Sequence, residues 1–118
     1  MPDNRQTGAL GEDIAVKFLE EKGYKIIERN KHFSRACEID IIALDTKDKN
    51  TLVFVEVKTR KTEFLGSPLE AITPTKYQNI KTGLFSYLSE NPQYKKYRID
   101  AISIVLKPEQ KIEHLKNI

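Results

Sequence analysis

The stretch Leu52-Val53-Phe54-Val55-Glu56-Val57-Lys58-Thr59-Arg60 decides the fold of this chain. From Leu52 to Val55 both the odd and the even positions are apolar, which is typical of a strand that is buried on both faces. Because residues i and i+2 of a strand point to the same face, Glu56 and Lys58 should project side by side. A buried charge is costly unless it is paired or binds a metal, so this end of the strand requires a partner.

A second stretch, Cys37-Glu38-Ile39-Asp40-Ile41-Ile42-Ala43-Leu44, also predicts a largely buried strand. Its alternation places Glu38 and Asp40 on one face, with Ile39 and Ile41 on the other. The polar turn 45–50 separates this strand from the first stretch, so the two strands are expected to form a hairpin.

Neighbouring strands would bring the carboxylates of Asp40 and Glu56 together, with Lys58 close to both. Two carboxylates at one site repel each other unless a cation neutralises them. Hard oxygen ligands suit Mg²⁺ or Mn²⁺, and Lys58 could orient a water or stabilise charge on a phosphate. This combination favours metal-assisted phosphodiester hydrolysis, and the alternative is an ordinary network of ion pairs.

Several blocks of the sequence carry a resemblance to a known family. Asp40 followed by Glu56-Val57-Lys58 on the next strand resembles the PD-(D/E)xK nuclease signature. The wider blocks resemble the YraN-like family of predicted endonucleases, and they are Gly11-Glu12-Asp13-Ile14-Ala15, Glu38-Ile39-Asp40-Ile41-Ile42-Ala43, Val55-Glu56-Val57-Lys58-Thr59-Arg60, Lys76 at the start of a helix, and Arg98-Ile99-Asp100-Ala101-Ile102. The chain departs from the family at Cys37, where glycine is usual, and this departure removes no candidate ligand.

The resemblance implies a core of the restriction-endonuclease type, related to archaeal Holliday-junction resolvases. The predicted catalytic residues are Asp40, Glu56, Lys58 and Glu12; the predicted metal ligands are Asp40, Glu56, Glu12 and the backbone carbonyl of Val57; Arg60 and Lys76 are predicted to contact nucleic acid. For Glu12 the alternative is an acid in the first turn of a helix, where the helix dipole favours it. For Lys76 the alternative is a solvated surface lysine.

The elements predicted along the chain follow the order αβββαβ. They are a helix over 8–22 that ends at Gly23, a strand over 24–29, a loop or turn over 30–36, strands over 38–44 and 52–59, an irregular segment over 62–72, a helix over 75–90 capped by Thr73-Pro74, a strand over 98–106, and a short edge over 112–115. This order predicts an α/β domain in which helices pack on both faces of a mixed β-sheet.

Composition narrows the class of protein. The chain has 118 residues, 39% of them hydrophobic and 31% charged, which predicts a single globular domain with a polar N-terminal tail over about 1–7. No apolar run approaches a membrane span and no secretion signal is evident, so a cytoplasmic protein without membrane contact is expected. A lone cysteine excludes an intrachain disulfide, and two distant histidines argue against a zinc site.

These inferences predict an enzyme that binds Mg²⁺ or Mn²⁺ and hydrolyses phosphodiester bonds in DNA, with branched DNA among its candidate substrates. The net charge of +3 permits nucleic-acid binding without requiring it. Two alternatives stay open: a non-catalytic nucleic-acid-binding module with this fold, and a protein-interaction scaffold whose charges are structural. A resolvase that acts on two strands would also favour a homodimer.

Overall fold

A computed structural model of the chain describes residues 4–35, 37–62, 70 and 72–118. Its elements are α1 (Asn4–Glu21), β1 (Tyr24–Ser34), β2 (Cys37–Asp45), β3 (Thr51–Thr62), α2 (Pro74–Glu90), β4 (Tyr97–Lys107) and β5 (Lys111–Leu115). The predicted order of elements is confirmed, with β5 as the short edge. None of the helices within these ranges is long and apolar enough to span a bilayer.

The strands form one five-stranded sheet in the order β1-β2-β3-β4-β5. Only β3 and β4 run parallel, and the other neighbours are antiparallel. A parallel pair needs a crossover connection, and here that connection contains α2. The predicted α/β fold with a mixed sheet between helices is therefore confirmed.

The central strand β3 is buried on both faces, as its unbroken apolar run predicted. Val53 and Val55 belong to a core cluster that includes residues of α1, whereas Leu52 and Phe54 belong to a second cluster that includes residues of α2. Helix α1 therefore covers one face of the sheet and α2 covers the other. Continuing the alternation along β3 places Glu56 on the α2 side.

Strand β2 does not alternate as the sequence predicted. Ile39 packs in the cluster on the α2 side and Ile41 packs in the cluster on the α1 side, so their predicted common face is wrong. The ladder between β2 and β3 ends at Ile41 and Val55. In β1, Asn30 has a φ of 51°, and it lies between the pairs that β1 makes with Ile41 and Ile39. The strand thus changes phase at Asp40, where its ladder with β3 has ended and its pairing with β1 skips one position before it resumes at Ile39.

Element ends differ from the prediction at several places. Strand β1 continues to Ser34, which pairs with Cys37, so the predicted loop over 30–36 is wrong for most of its length. Pairing with β2 organises this polar segment, which has little apolar alternation of its own. Helix α1 begins at Asn4 rather than at residue 8. The predicted irregular segment over 62–72 lies mostly outside the described residues.

Candidate functional site

Asp40 of β2 and Glu56 of β3 lie near each other in the middle of their strands, where the ladder between β2 and β3 has ended. The backbone N–H of Val57 donates a hydrogen bond of 2.8 Å to Oδ2 of Asp40. Because Val57 directly follows Glu56, this bond holds the Asp40 carboxyl beside the strand position of Glu56. The side chain of Asp40 thus replaces a backbone acceptor where the ladder between β2 and β3 has ended.

Burial and mutual repulsion dominate the electrostatics of these two acids. Burial first, and then the charge of Glu56, raise the pKa of Asp40 from 3.8 to about 8, whereas the bond from Val57 opposes this shift. The Glu56 side chain is only 8% exposed. Its Oε2 is buried and has no hydrogen-bond partner within the described part of the chain. A buried carboxylate oxygen without a partner is costly, so the site lacks a group that would satisfy it.

A small cavity adjoins Glu56. Its volume of about 10 Å³ approaches that needed for one water, and its lining includes Glu56, Lys58, Lys76 and Ser103. The cavity therefore combines a buried acid with two lysines from different elements. Ile72, Ala101 and Ile102 complete the lining, so the charged groups lie at the edge of an apolar surface.

The lysine that contacts Glu56 is Lys76 of α2. Its Nζ lies 2.7 Å from Oε1 of Glu56. Thr73 caps the helix by accepting a hydrogen bond of 3.1 Å from the backbone N–H of Lys76, which confirms the predicted N-cap and fixes Lys76 in the first turn. Lys58 is exposed and lines the same cavity, but among the described residues it forms no ion pair with Asp40 or Glu56.

Glu12 approaches the site from α1. Any side chain at Gly11 would collide with Thr59 of β3, so this glycine lets the helix backbone lie close to the strand. Glu12 lies 3.9 Å from Arg29, and burial raises its pKa while a hydrogen bond with Asn30 lowers it. Its charge also raises the pKa of Asp40. Within the described ranges, no three acidic, histidine or cysteine side chains form a cluster that could hold an ion, so Glu12 does not complete such a cluster with Asp40 and Glu56.

The remaining predicted residues lie around this pair. Val57 is half-buried and packs against the cluster on the α1 side. Arg60 lies two residues after Lys58 on β3, so it belongs to the same face of the strand as Glu56 and Lys58, and it is half-buried. Cys37 is buried, and its Sγ donates to the carbonyl of Asn79 at 3.2 Å. Burial and the nearby Glu56 raise the pKa of the Cys37 thiol, which places this residue near the site as well.

The contact between Lys76 and Glu56 is the main feature that sequence reasoning missed. The cap at Thr73 signalled where α2 begins, but strand and helix periodicity cannot show where a helix rests on a sheet. That position depends on the whole packing of α2 against β2 and β3.

The model of the uncharacterised protein family UPF0102 matches residues 11–104. The chain belongs to this family. It is 43% identical to a UPF0102 protein of Syntrophomonas wolfei over 97% of both chains. It is 45% identical to a UPF0102 protein of Chlorobium phaeobacteroides, and the match covers 93% of this chain and 90% of the relative. It is 40% identical to a UPF0102 protein of Flavobacterium psychrophilum, and this match covers 99% of this chain and 96% of the relative. The predicted resemblance to the YraN-like family is confirmed.

A solved structure is also similar to this UPF0102 chain. It is that of Pyrococcus furiosus SfsA in complex with Ca²⁺, with a TM-score of 0.42 and 18% identity. The match covers 97% of the present chain and 64% of the SfsA chain.

Proposed function

We propose that this UPF0102 protein is a nuclease that uses Mg²⁺ or Mn²⁺ to hydrolyse phosphodiester bonds in DNA. The observation that carries the proposal is the juxtaposition of Asp40 with Glu56, whose buried Oε2 lacks a partner. Ordinary structural acids are neutralised by their surroundings. Here burial and Glu56 instead hold the pKa of Asp40 far above its usual value, which is typical of functional sites.

The donor set fits a hard divalent ion. Mg²⁺ and Mn²⁺ prefer oxygen ligands, and Mg²⁺ commonly takes one or two protein carboxylates while it keeps several waters. Asp40 and Glu56 would supply these carboxylates, and Glu12 and the Val57 carbonyl are candidates for further oxygen ligands. When bound, such an ion lowers the pKa of a water and neutralises charge on the phosphate.

The basic residues have separate proposed roles. Lys58 lines the cavity beside Glu56, where its amine can position a water and offset negative charge that develops on the phosphate. Arg60 can bind a phosphate through two parallel hydrogen bonds. Lys76 pairs with Glu56 at 2.7 Å, and it would be available to a DNA phosphate if a divalent ion were bound at that carboxylate.

One observation favours a second candidate function, that of a DNA-binding module without catalysis. The contact of 2.7 Å between Lys76 and Glu56 already neutralises one of the two acids without a metal. A protein that had lost cleavage could keep this pair and use the surrounding lysines for DNA. Metal titration distinguishes both candidates from a protein-interaction scaffold, and a cleavage assay distinguishes the enzyme from the module.

Single-turnover cleavage of linear and branched DNA with Mg²⁺ or Mn²⁺ tests the proposal. We expect the parent protein to cleave, and Asp40→Asn and Glu56→Gln to lose activity while they retain DNA binding. Glu38→Gln is the matched control, because Glu38 is exposed on the same strand and pairs with His32 at 3.3 Å. Binding without cleavage of any substrate with either metal would favour the DNA-binding module instead.

A further inference from the structure

We infer that a second surface of this protein, at the end of the sheet where β2 turns into β3 and away from Asp40 and Glu56, binds the phosphodiester backbone of nucleic acid. This surface surrounds the turn between β2 and β3 and is called the hairpin surface below. Its members are the exposed lysines of two adjoining grooves, Lys22, Lys47 and Lys116 in the first and Lys49, Lys95 and Lys96 in the second. The choice of DNA as the ligand rests on the proposed function, but the grooves themselves do not.

The first groove has a volume of about 690 Å³, and Arg98 lies in its lining. Arg98, whose side chain is 11% exposed, forms ion pairs with Asp45 at 3.0 Å, Asp48 at 3.1 Å and Asp100 at 2.9 Å. His114 adds a contact of 2.8 Å to Asp100, which is fully buried. Asp45 and Asp48 line this groove together with four basic residues, Lys22, Lys47, Arg98 and Lys116, so positive charges outnumber negative ones in the lining.

The second groove has a volume of about 500 Å³, and its lining contains three lysines and no acid. Tyr94 also lines it and stacks on Tyr87 at a centroid distance of 6.4 Å. Lys96 contacts Asp48 at 3.2 Å, and Asp48 in turn lines the first groove. This contact joins the two grooves across the turn, so the six lysines lie on one surface, with Asp48 between the grooves.

The shape of the hairpin surface favours a polymer over a single anion. A lone phosphate would need several donors that converge on one point, whereas these lysines are spread over two open grooves. A chain of regularly spaced phosphates can contact such a spread array, and each contact releases a condensed counterion. Glu20 and Glu21 are the nearest acids in sequence to Lys22, and neither lines a groove.

The hairpin surface is separate from the candidate site. Strand β3 runs from one to the other: Thr51 adjoins the turn, and Glu56 lies in the candidate site. At about 3.3 Å per residue, this separation along the strand is about 17 Å. One nucleic-acid segment at the candidate site would thus leave the hairpin surface available for another segment or a further part of the same one.

Salt-dependent binding tests this inference. Two double variants, Lys47→Ala/Lys116→Ala and Lys49→Ala/Lys95→Ala, each remove two exposed charges from one groove, and Lys17→Ala/Lys107→Ala removes two exposed charges outside both grooves. The probe is a labelled DNA duplex of about 30 base pairs in EDTA, at salt concentrations from about 50 to about 200 mM. Omitting metal makes the result independent of cleavage.

We expect each groove variant to lower the slope of log affinity against log salt by about 1.8, since each lost phosphate contact contributes about 0.9. The affinity lost between the two salt concentrations should then shrink by about tenfold. The control should keep the parent slope, and all variants should keep the parent melting temperature. Parent slopes in both groove variants, or an equal loss in the control, would overturn the inference. If the parent protein does not cleave DNA but the groove variants show the expected lower slopes, the result counts against the proposed function alone.

Discussion

The Asp40 side chain has an environment that should make the stability of the protein depend on pH. Burial and Glu56 raise its pKa in the folded state from 3.8 to about 8. Between these values the folded protein holds a proton that the unfolded chain has released. Without metal, the contribution of Asp40 to the free energy of unfolding should therefore be largest below the lower value and be lost as pH rises through the upper one.

The variant Asp40→Asn tests this linkage. The free energy of unfolding of this variant should fall less with rising pH than that of the parent. At pH 8 in EDTA the variant should be at least as stable as the parent, because its side chain carries no charge to repel Glu56. Mn²⁺ should raise the melting temperature of the parent by binding the folded state and should not raise that of the variant. Melting curves over a pH series provide the measurement. An unchanged response of Asp40→Asn to Mn²⁺ would rule out Asp40 as a ligand.

Lys76 and a divalent ion should compete for Glu56. Lys76→Ala removes a positive charge 2.7 Å from Oε1 of Glu56, so it should tighten Mn²⁺ binding several-fold and lower the melting temperature without metal. Electron paramagnetic resonance of free Mn²⁺ gives the affinity. Lys81→Ala is the control, because Lys81 lies on the same helix over the ring of Tyr77. Weaker or equal Mn²⁺ binding in Lys76→Ala would contradict the competition.

Lys58 should matter for the rate of cleavage more than for binding. Lys58→Ala removes an amine from the cavity beside Glu56 while it leaves both proposed carboxylate ligands in place. We expect single-turnover cleavage at saturating protein to fall by about a hundredfold, as is common when one electrostatic stabiliser is lost. DNA affinity should weaken only modestly and in a salt-dependent way. Cleavage at the parent rate would show that this lysine has no catalytic role.

Residue patterns predicted part of the site. Apolar runs and strand alternation predicted that Glu56 and Lys58 share one face of a buried strand. The same patterns predicted that Asp40 lies on the neighbouring strand. The partner of Glu56 was not predicted, because Lys76 reaches it through the packing of α2 on the sheet. Local periodicity contains no information on that long-range contact.

At the scale of elements, the close approach of α1 to β3 positions Glu12. A methyl group at Gly11 would collide with Thr59, so Gly11→Ala should push the helix away and destabilise the protein by about 1–3 kcal/mol. Gly8→Ala is a matched control on the same helix, since nothing lies within 4 Å of the added carbon. It should stabilise the protein by up to about 1 kcal/mol through helix propensity. Denaturant unfolding measures both changes, and equal stabilities would contradict the close packing.

Elements with strong signals were predictable, and the weaker ones show where local rules fail. The double burial of β3, the cap at Thr73 and the end of α1 at Gly23, which has a φ of 93°, all follow from local sequence. The phase change at Asp40 does not, because it arises where β2 loses its regular partner in β3. The outer half of β1 was missed because its pairing with β2 outweighs its polar character.

At the scale of the whole molecule, the sheet separates two surfaces with different proposed roles. Asp40 and Glu56, in the middle of their strands, are proposed to hold the metal for hydrolysis, and the lysines around the turn between β2 and β3 are proposed to hold the nucleic-acid backbone. A protein with two such surfaces can contact two segments of DNA, which is what a branched substrate offers. A homodimer stays a prediction from the resolvase resemblance, and light scattering of the purified protein measures it.

Anomalous diffraction from a crystal soaked in Mn²⁺ shows whether Asp40 and Glu56 hold a metal ion. We expect one peak bound by carboxylate oxygens of both Asp40 and Glu56, at the short distances of about 2.0–2.2 Å that such ions require. We also expect the amine of Lys76 to have moved away from Glu56. A crystal in which Mn²⁺ binds elsewhere, while Lys76 stays paired with Glu56, would contradict the assignment of this site as a metal centre.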